Sequence, residues 1–228
     1  CKIIFVCVPT PMKIDGSCDI SIVKSVINNF TKEKDLIIIN KSTVIPGTTE
    51  KLNNEFKNIQ IVFNPEFLTE RNAVNDFNNQ NRIIIGGPRP ATTIVKNVYS
   101  KVFPEAHIIK TGSTHAEMIK YFTNTFLATK VTFANEMYDL CLKLKLDYDK
   151  VVEYSTLDDR IGNTHLNVPG HDGDLGFGGH CFPKDLSALI SLSEKLNSEN
   201  NLLKAVKQTN DVIRKNRDWE QMKGRAVN

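Results

Sequence analysis

Apolar runs and helical repeats alternate along the first half of the chain. Continuous apolar runs rich in β-branched residues predict strands at 3–8, 36–39, 61–63, 82–85 and 107–109. Apolar residues three and four positions apart predict helices between them, at 22–30, 48–56 and 91–102. Because apolar runs without polar alternation are typical of strands covered on both faces, we predict an α/β domain with a doubly wound parallel sheet.

The second half of the chain is predicted to be mostly helical. Helical spacing covers 114–145, 147–154 and 184–196, and it resumes at Leu202 and extends beyond Arg214. Residues 161–181 are rich in Gly, Pro, Asn and His and predict a loop. We therefore expect an α/β domain at 1–112, a helical domain at 113–201, and the start of a long connecting helix and linker at 202–228.

Composition excludes several classes of protein. The chain has 228 residues and a net charge of +3, and its Lys and Arg form no stripe interleaved with aromatics, so nucleic acid is not an expected partner. No apolar stretch approaches the roughly 20 residues that cross a bilayer, so no membrane is expected. The five cysteines, Cys1, Cys7, Cys18, Cys141 and Cys181, form no CxxC pair, which predicts free thiols in the reducing cytoplasm.

The first residues predict a segment of a longer protein. The chain does not begin with Met, and it opens directly on the strand-like run that starts at Lys2. A G-x-G-x-x-G turn, which binds a dinucleotide pyrophosphate, does not occur in the sequence. The pair Gly86-Gly87 is followed by Pro88 and does not precede a helix at the spacing of the G-x-G-x-x-G turn.

The segment 176–185, GFGGHCFPKD, is the strongest candidate for chemistry. Its glycines permit tight turns, and Pro183 suits the first turn of a helix. Cys181 would then lie at a helix N-terminus, where backbone N–H groups stabilise a thiolate. Asp185 lies one turn further on, so a nucleophile and a carboxylate could share a helix face.

This segment resembles the active-site signature of the UDP-glucose/GDP-mannose dehydrogenase family. Five further segments resemble family motifs in the same order: VPTP with the following DGS, KSTV at 41–44, NPEFLTE at 64–70, E-x-x-K-x-x-x-N at 117–124, and D-R-I-G at 159–162. Arg71 departs from the family pattern, which usually has Gly there. The resemblance covers nearly the whole chain and implies a partial Rossmann-like NAD-binding domain followed by an all-α central dimerisation domain.

The resemblance implies a four-electron oxidation of a nucleotide sugar, with NAD as cofactor, UDP-glucose as substrate and a homodimer formed through the helical domain. It assigns Cys181 as nucleophile, Lys120 and Asn124 to the oxyanion, Glu66 as general base, Thr43 as the residue that holds water, and Asp185 as an aid to deprotonation or hydrolysis. It assigns substrate contacts to Phe67, Leu68, Glu70, Arg160, Phe177 and Gly178, and cofactor contacts to Pro9, Thr10, Thr43, Glu70 and Lys184. Arg160 would reach the site of the neighbouring subunit.

Several alternatives remain open at the level of sequence. The substrate could be GDP-mannose or UDP-N-acetylmannosamine, or the chain could be an inactive dimerisation module. A reductase of the 6-phosphogluconate type shares the plan but has no use for a cysteine after GFGG. His180 next to Cys181 suggests a dyad, although adjacent side chains usually point apart. The loop histidines His165, His171 and His180 fit no tetrahedral zinc site, so we expect no metal.

Overall fold

The first half of the chain folds into a five-stranded sheet with helices on both faces. A computed structural model describes residues 2–228, so Cys1 lies outside the described residues. The strands are β1 (Ile3–Val6), β2 (Leu36–Asn40), β3 (Ile59–Phe63), β4 (Arg82–Gly86) and β5 (His107–Thr111). The helices between them are α1 (Ser21–Asn28), α2 (Thr48–Glu55), α3 (Ala73–Asn78) and α4 (Ala91–Val102). All five predicted strands and three of these helices are confirmed; α3 was not predicted.

The sheet is mixed rather than wholly parallel. Its order follows the chain from β1 to β5, and β1–β2, β2–β3 and β4–β5 pair in parallel. The pairing of β3 with β4 is antiparallel, through Phe63 and Gly86. A parallel connection needs a crossover helix that packs on the sheet. The connecting helix α3 has six residues and buries none of them, so the chain turns back instead of crossing over.

Apolar side chains fill a core on each face of the sheet. On one face, Val23 and Ile27 of α1 and Leu52 of α2 pack against residues of β1 to β4. On the other face, Val95 and Tyr99 of α4 pack against β2, β3 and β4. Strands covered on both faces need no polar alternation, which is why β2 is buried along its whole length.

The second half is helical, as predicted. It comprises α5 (Ser113–Leu144), α6 (Tyr148–Ser155), α7 (Cys181–Lys195) and α8 (Asn201–Ile213). The loop predicted at 161–181 ends at residue 180, because α7 begins at Cys181, three residues before the predicted helix at 184–196. One core is formed by Ala128, Phe177, Leu186, Ile190 and Val206, and a second lies around Ala134, Cys141, Tyr148, Leu166 and Val168. Asp147 caps α6, since its side chain accepts hydrogen bonds from the N–H groups of Asp149 and Lys150.

The prediction that the last helix extends beyond Arg214 is wrong. The helix α8 ends at Ile213, and Arg214 takes an extended backbone conformation. The Arg214 side chain is buried and donates from Nε to the carbonyl of Asn216 at 2.7 Å, which turns the chain away from the helix axis. A short 3-10 helix follows at Asp218–Gln221, and the carbonyl of Ala226 then accepts a hydrogen bond from the N–H of Met12.

The chain divides into two compact units. The first contains Cys1–Pro11 and Cys18–Phe122, and the second contains Met12–Ser17 and Thr123–Asn228. The predicted domain boundary at residue 112 follows the end of β5, whereas this division places residues 113–122 of α5 in the first unit. None of the helices in the described part of the chain has both the length and the apolar character that a membrane crossing requires.

Candidate active site

In the first unit, the turns after β1 and β2 are joined by side-chain hydrogen bonds. The three strands β1, β2 and β3 run in parallel, so they end at the same edge of the sheet. The N–H of Val8 donates to Oγ of Ser42 at 2.9 Å, and the buried hydroxyl of Thr10 donates to the carbonyl of Thr43 at 2.7 Å. Pro9 is exposed, and Thr43 is half-buried. The structure thus brings together the predicted cofactor residues Thr10 and Thr43.

A network that the sequence did not reveal is centred on Asn64, at the end of β3. Oδ1 of Asn64 accepts from Nζ of Lys41 at 3.0 Å and from the hydroxyl of Tyr99 at 2.5 Å, while Nδ2 donates to the carbonyl of Ile84. Burial lowers the pKa of Lys41, and the nearby carboxylate of Glu66 partly opposes that shift. Burial raises the pKa of Tyr99 to about 12. The network fixes the backbone that leads to Glu66.

Lys120 contacts the backbone carbonyl of Glu66 and not its carboxylate. Nζ of Lys120 donates to the carbonyl of Glu66 at 2.6 Å, and the Lys120 side chain is buried. The carboxylate of Glu66 is exposed. The next residue, Phe67, presents its ring to two cations, with Cζ of Arg82 at 4.0 Å and Nζ of Lys120 at 5.6 Å from the centroid. The positive charges of Arg82 and Lys120 therefore lie beside the NPEF turn.

Two predicted substrate residues line a cleft in the first unit. The cleft has a volume of about 560 Å³ and is lined by Phe67, Leu68, Asn75, Asp76, Asn79, Gln80, Asn81 and Arg82. Glu70 is exposed and begins the short 3-10 helix that precedes α3. Asp76 holds this segment, since its carboxylate accepts from the N–H of Thr69 at 2.7 Å and from the Thr69 hydroxyl at 2.6 Å.

Glu117 is a second residue whose position only the structure reveals. Its carboxylate is fully buried and accepts from the N–H groups of Gly47 at 2.6 Å and Thr49 at 2.7 Å. Gly47 is the N-cap of α2 and offers no side chain of its own, so Glu117 supplies the missing acceptor. Burial raises the pKa of Glu117, although these hydrogen bonds oppose the shift. The contact anchors the start of α5, which carries Lys120.

In the second unit, Cys181 is the first residue of α7, as predicted. His180 is the N-cap, and its side chain makes no capping hydrogen bond. The Cys181 thiol is half-buried, with Nε2 of His180 3.3 Å from Sγ. The expectation that the two adjacent side chains point apart is wrong. A thiolate at this position would lie at the positive end of the α7 helix dipole.

Asp185 is held by two predicted site residues. Oδ2 of Asp185 accepts from Nδ2 of Asn124 at 2.6 Å, and Oδ1 pairs with Nζ of Lys184 at 2.5 Å. All three side chains are buried. A buried carboxylate is stable when it is paired and hydrogen-bonded in this way. The structure thus brings together Asn124, Lys184 and Asp185.

The glycine-rich loop before Cys181 is held by side chains of neighbouring helices. The N–H of Gly176 donates to Oδ1 of Asn135 at 3.0 Å. Asn210 of α8 forms two hydrogen bonds with Phe177: its Oδ1 accepts from the N–H of Phe177 at 2.8 Å, and its Nδ2 donates to the carbonyl of Phe177 at 3.0 Å. The N–H of Gly179 donates to both carboxylate oxygens of Asp218.

The glycines of this loop are required by packing. A Cβ on Gly178 would lie 2.3 Å from Nη2 of Arg214 and 2.5 Å from Oδ1 of Asp218. A Cβ on Gly176, whose φ is +70°, would lie 2.4 Å from Oδ1 of Asn210. The Phe177 ring is buried in the helical core, so any contact it makes with a substrate would come from its backbone. The predicted substrate roles of Phe177 and Gly178 stay predictions.

Arg160 and the cysteines complete the candidate residues. Arg160 is exposed and pairs with Asp158, with Nε 2.8 Å from Oδ1. This ion pair raises the pKa of Arg160 and lowers that of Asp158. Among residues 2–228, Cys7, Cys18, Cys141 and Cys181 are not in disulfides. Within the same residues, no three His, Cys, Asp or Glu side chains are grouped so that they could hold a metal ion.

Two family models match the chain. Residues 1–103 match the NAD binding domain of the UDP-glucose/GDP-mannose dehydrogenase family, and residues 114–212 match the central domain of the same family. Together they cover the sheet and the helical part that carries Cys181. The chain belongs to the UDP-glucose/GDP-mannose dehydrogenase family.

Individual relatives agree with the family assignment. The chain is 38% identical to a UDP-glucose 6-dehydrogenase of Rickettsia bellii, over 91% of this chain and 48% of the relative. It is 36% identical to a UDP-glucose 6-dehydrogenase of Bacillus subtilis, over 93% of this chain and 47% of the relative. The solved structure of a UDP-glucose dehydrogenase from Pyrobaculum islandicum is 36% identical, with a TM-score of 0.84, over 92% of this chain and 50% of that chain. The chain thus spans about half the length of these relatives.

Proposed function

We propose that this chain carries the catalytic residues of an NAD-dependent dehydrogenase that oxidises the C6 hydroxyl of UDP-glucose to a carboxylate. The observation that carries the proposal is Cys181 at the first residue of α7, directly after the GFGG loop. A primary alcohol reaches a carboxylate through an aldehyde, and the aldehyde must be retained for the second oxidation. A cysteine thiolate can retain it as a thiohemiacetal, which a second oxidation converts to a thioester.

The residues of α5 and α7 fit the later steps. Asn124 and Asp185 are hydrogen-bonded to each other, so the carboxylate has a fixed orientation. We propose that Asp185 orients the water that hydrolyses the thioester. Lys120 and Asn124 are one helical turn apart on α5, and we propose that they stabilise the oxyanion formed at C6.

The residues at the carboxyl edge of the sheet fit the first step. Glu66 has an exposed carboxylate on a turn whose backbone is held by Lys120 and by the Asn64 network. We propose that Glu66 takes the hydroxyl proton, through a water held by Thr43. Phe67, Leu68 and Glu70 would contact the substrate, and Arg160 would serve the neighbouring subunit.

The same edge of the sheet fits a dinucleotide. NAD, when bound, accepts the hydride in each of the two oxidations. Dinucleotides bind at the carboxyl ends of parallel strands, where Pro9, Thr10 and Thr43 lie. We propose that these residues and Glu70 contact the cofactor. The proposed cofactor role of Lys184 competes with its ion pair to Asp185.

The choice of UDP-glucose rests on the named relatives at 36–38% identity. GDP-mannose and UDP-N-acetylmannosamine are the alternatives within the family. A panel of the three nucleotide sugars at equal concentration tests this choice through kcat/KM. A higher kcat/KM for either alternative would contradict it.

The activity test uses two proteins, the 228-residue chain and a chimera in which this chain replaces the matching segment of the Bacillus subtilis relative. We expect the chimera to form NADH and UDP-glucuronate from UDP-glucose. The variant Cys181→Ser should lose UDP-glucuronate formation, whereas Cys141→Ala in α5 serves as a control for loss of a thiol. UDP-glucuronate at the wild-type rate from Cys181→Ser would contradict the assignment, and a folded chimera without activity would favour an inactive dimerisation module.

We also propose that the helical part forms a homodimer. The side chains of Phe126, Phe133 and Leu140 recur every seven residues on α5 and are 48–57% exposed. A stripe of this kind on a long helix is typical of a packing surface. Phe133→Glu should shift the chain to monomer in sedimentation, while Leu202→Glu on α8, which is also exposed, should not. Equal sedimentation of Phe133→Glu and the unchanged chain would contradict this interface.

A further inference from the structure

The thiol of Cys181 and the imidazole of His180 lie against each other at the start of α7. Nε2 of His180 is 3.3 Å from Sγ, which is within the range of a hydrogen bond to sulfur. Adjacent side chains usually diverge. Here His180 has φ −89° and ψ −22°, which is a helical conformation, and its imidazole nevertheless lies against the thiol of the next residue.

The carboxylate nearest to Cys181 in sequence is already engaged. One carboxylate oxygen of Asp185 pairs with Nζ of Lys184, and the other accepts a hydrogen bond from Nδ2 of Asn124. The Asp185 residue is 1% exposed. Abstraction of a thiol proton by this carboxylate would break a buried ion pair, which is costly. The imidazole of His180 is a base that is already in contact with sulfur.

Hydrogen bonds and packing fix the backbone just before His180. The N–H of Gly179 donates to both oxygens of Asp218, and Arg214 packs against Gly178. Charged groups on the adjoining segments are Lys184 and Asp185 on α7, and Arg214 and Asp218 after α8. The titratable imidazole of His165 lies against the ring of Phe182 in the first turn of α7. Lys184 pairs with Asp185, whereas the single cation Arg214 is shared by the carboxylates of Asp172, Asp174 and Asp218.

We propose that His180 is a catalytic residue that accepts the proton of the Cys181 thiol. The inference rests on the proposed function, in which Cys181 attacks an aldehyde. With its proton on Nδ1, the imidazole presents the Nε2 lone pair to the thiol. The S–H proton moves to Nε2, the sulfur lone pair forms a bond to the aldehyde carbon, and the carbonyl π electrons move to oxygen. Nε2 then releases the proton it accepted and the alkoxide oxygen takes up one proton, so formation of the thiohemiacetal consumes no proton overall.

The test measures alkylation of Cys181 by iodoacetamide across a pH series, followed by peptide mass mapping. We expect His180→Gln to slow alkylation about tenfold at neutral pH, because a cysteine paired with imidazole ionises at lower pH than a free one. His171→Gln, an exposed histidine of the same loop, is the matched control and should follow the unchanged chain. Coincident profiles for His180→Gln and the unchanged chain would overturn the proposal.

A second measurement covers the case in which His180→Gln does not fold. The imidazole of His180 is titrated by NMR in the unchanged chain before and after alkylation of Cys181. Loss of the thiolate should lower the midpoint of the imidazole titration, and an unmoved midpoint would overturn the proposal. Neither measurement needs turnover. If NADH forms but the alkylation profiles coincide, the role of His180 fails alone; if the profiles differ but the chimera forms no product, the proposed function fails alone.

Discussion

Replacement of Gly178 by Ala should destabilise the helical unit, because a buried arginine occupies the space that the methyl group needs. The new Cβ would lie 2.3 Å from Nη2 and 2.8 Å from Cζ of Arg214, and 2.5 Å from Oδ1 of Asp218. Arg214 has little freedom to move. Its Nη2 pairs with Asp172 at 2.8 Å and its Nε donates to Asn216 at 2.7 Å.

The expected loss is about 2 kcal/mol of the free energy of unfolding. Forcing a methyl group into a packed site costs about 3 kcal/mol when the neighbours cannot relax. Ala has fewer backbone states than Gly in the unfolded chain, and this difference stabilises the folded state by about 0.5–1 kcal/mol. Gly173 has open space around its Cβ position but a φ of +81°, so Gly173→Ala should lose about 1 kcal/mol from backbone strain alone.

Urea unfolding followed by the fluorescence of Trp219 measures this loss. Trp219 is the one tryptophan of the chain and is buried beside Asp218 in the same unit. In an Arg214→Met background, where the guanidinium is gone, Gly178→Ala should cost at least about 1 kcal/mol less. Equal losses for Gly178→Ala in the two backgrounds would refute the explanation based on Arg214.

Three further predictions concern the remaining buried groups. Burial raises the pKa of Glu117 above its ordinary 4.5, so its contribution to stability is fully present below pH 4.5 and is lost as the pH rises through the folded value. Glu117→Gln should remove that slope in urea unfolding at a series of pH values; an unchanged slope would contradict it. Tyr148→Phe should lose about 1–2 kcal/mol, because the Tyr148 hydroxyl donates to the buried carbonyl of Leu166 at 2.7 Å. Tyr154→Phe, which alters a ring 64% exposed, should stay within about 0.5 kcal/mol, and equal losses would contradict the role of the bond. Leu186→Ala should lose about 3 kcal/mol in thermal or urea unfolding, since Leu186 is 1% exposed in the helical core; a loss near zero would contradict that packing.

Most of the elements could be predicted from the sequence, because each depends on local periodicity. The strands β1 to β5 are runs of apolar residues, and α5 repeats its apolar positions over 32 residues. The end of α8 could not be predicted, since the helical pattern continues past Ile213. What ends the helix is the buried side chain of Arg214, which is held by aspartates more than forty residues earlier and four residues later.

The candidate site also has a part that could be predicted from the sequence and a part that could not. The motifs around Cys181, Lys120 and Glu66 could be identified from sequence because each is short and contiguous. The hydrogen bonds between Asn210 and Phe177, and those that Glu117 accepts from the N–H groups at the start of α2, could not, because they join residues 33 to 70 positions apart.

The sequence by itself determined the order of the five strands and of every helix except α3, the cysteine at the start of α7, and the family motifs, because local pattern and spacing specify them. Only the tertiary structure decided the antiparallel pairing of β3 with β4, the end of α8, the partners of Asp185, and the contact of His180 with Cys181. Each of these depends on side chains that are brought together by packing and on which buried polar groups find partners, and no local pattern encodes that outcome.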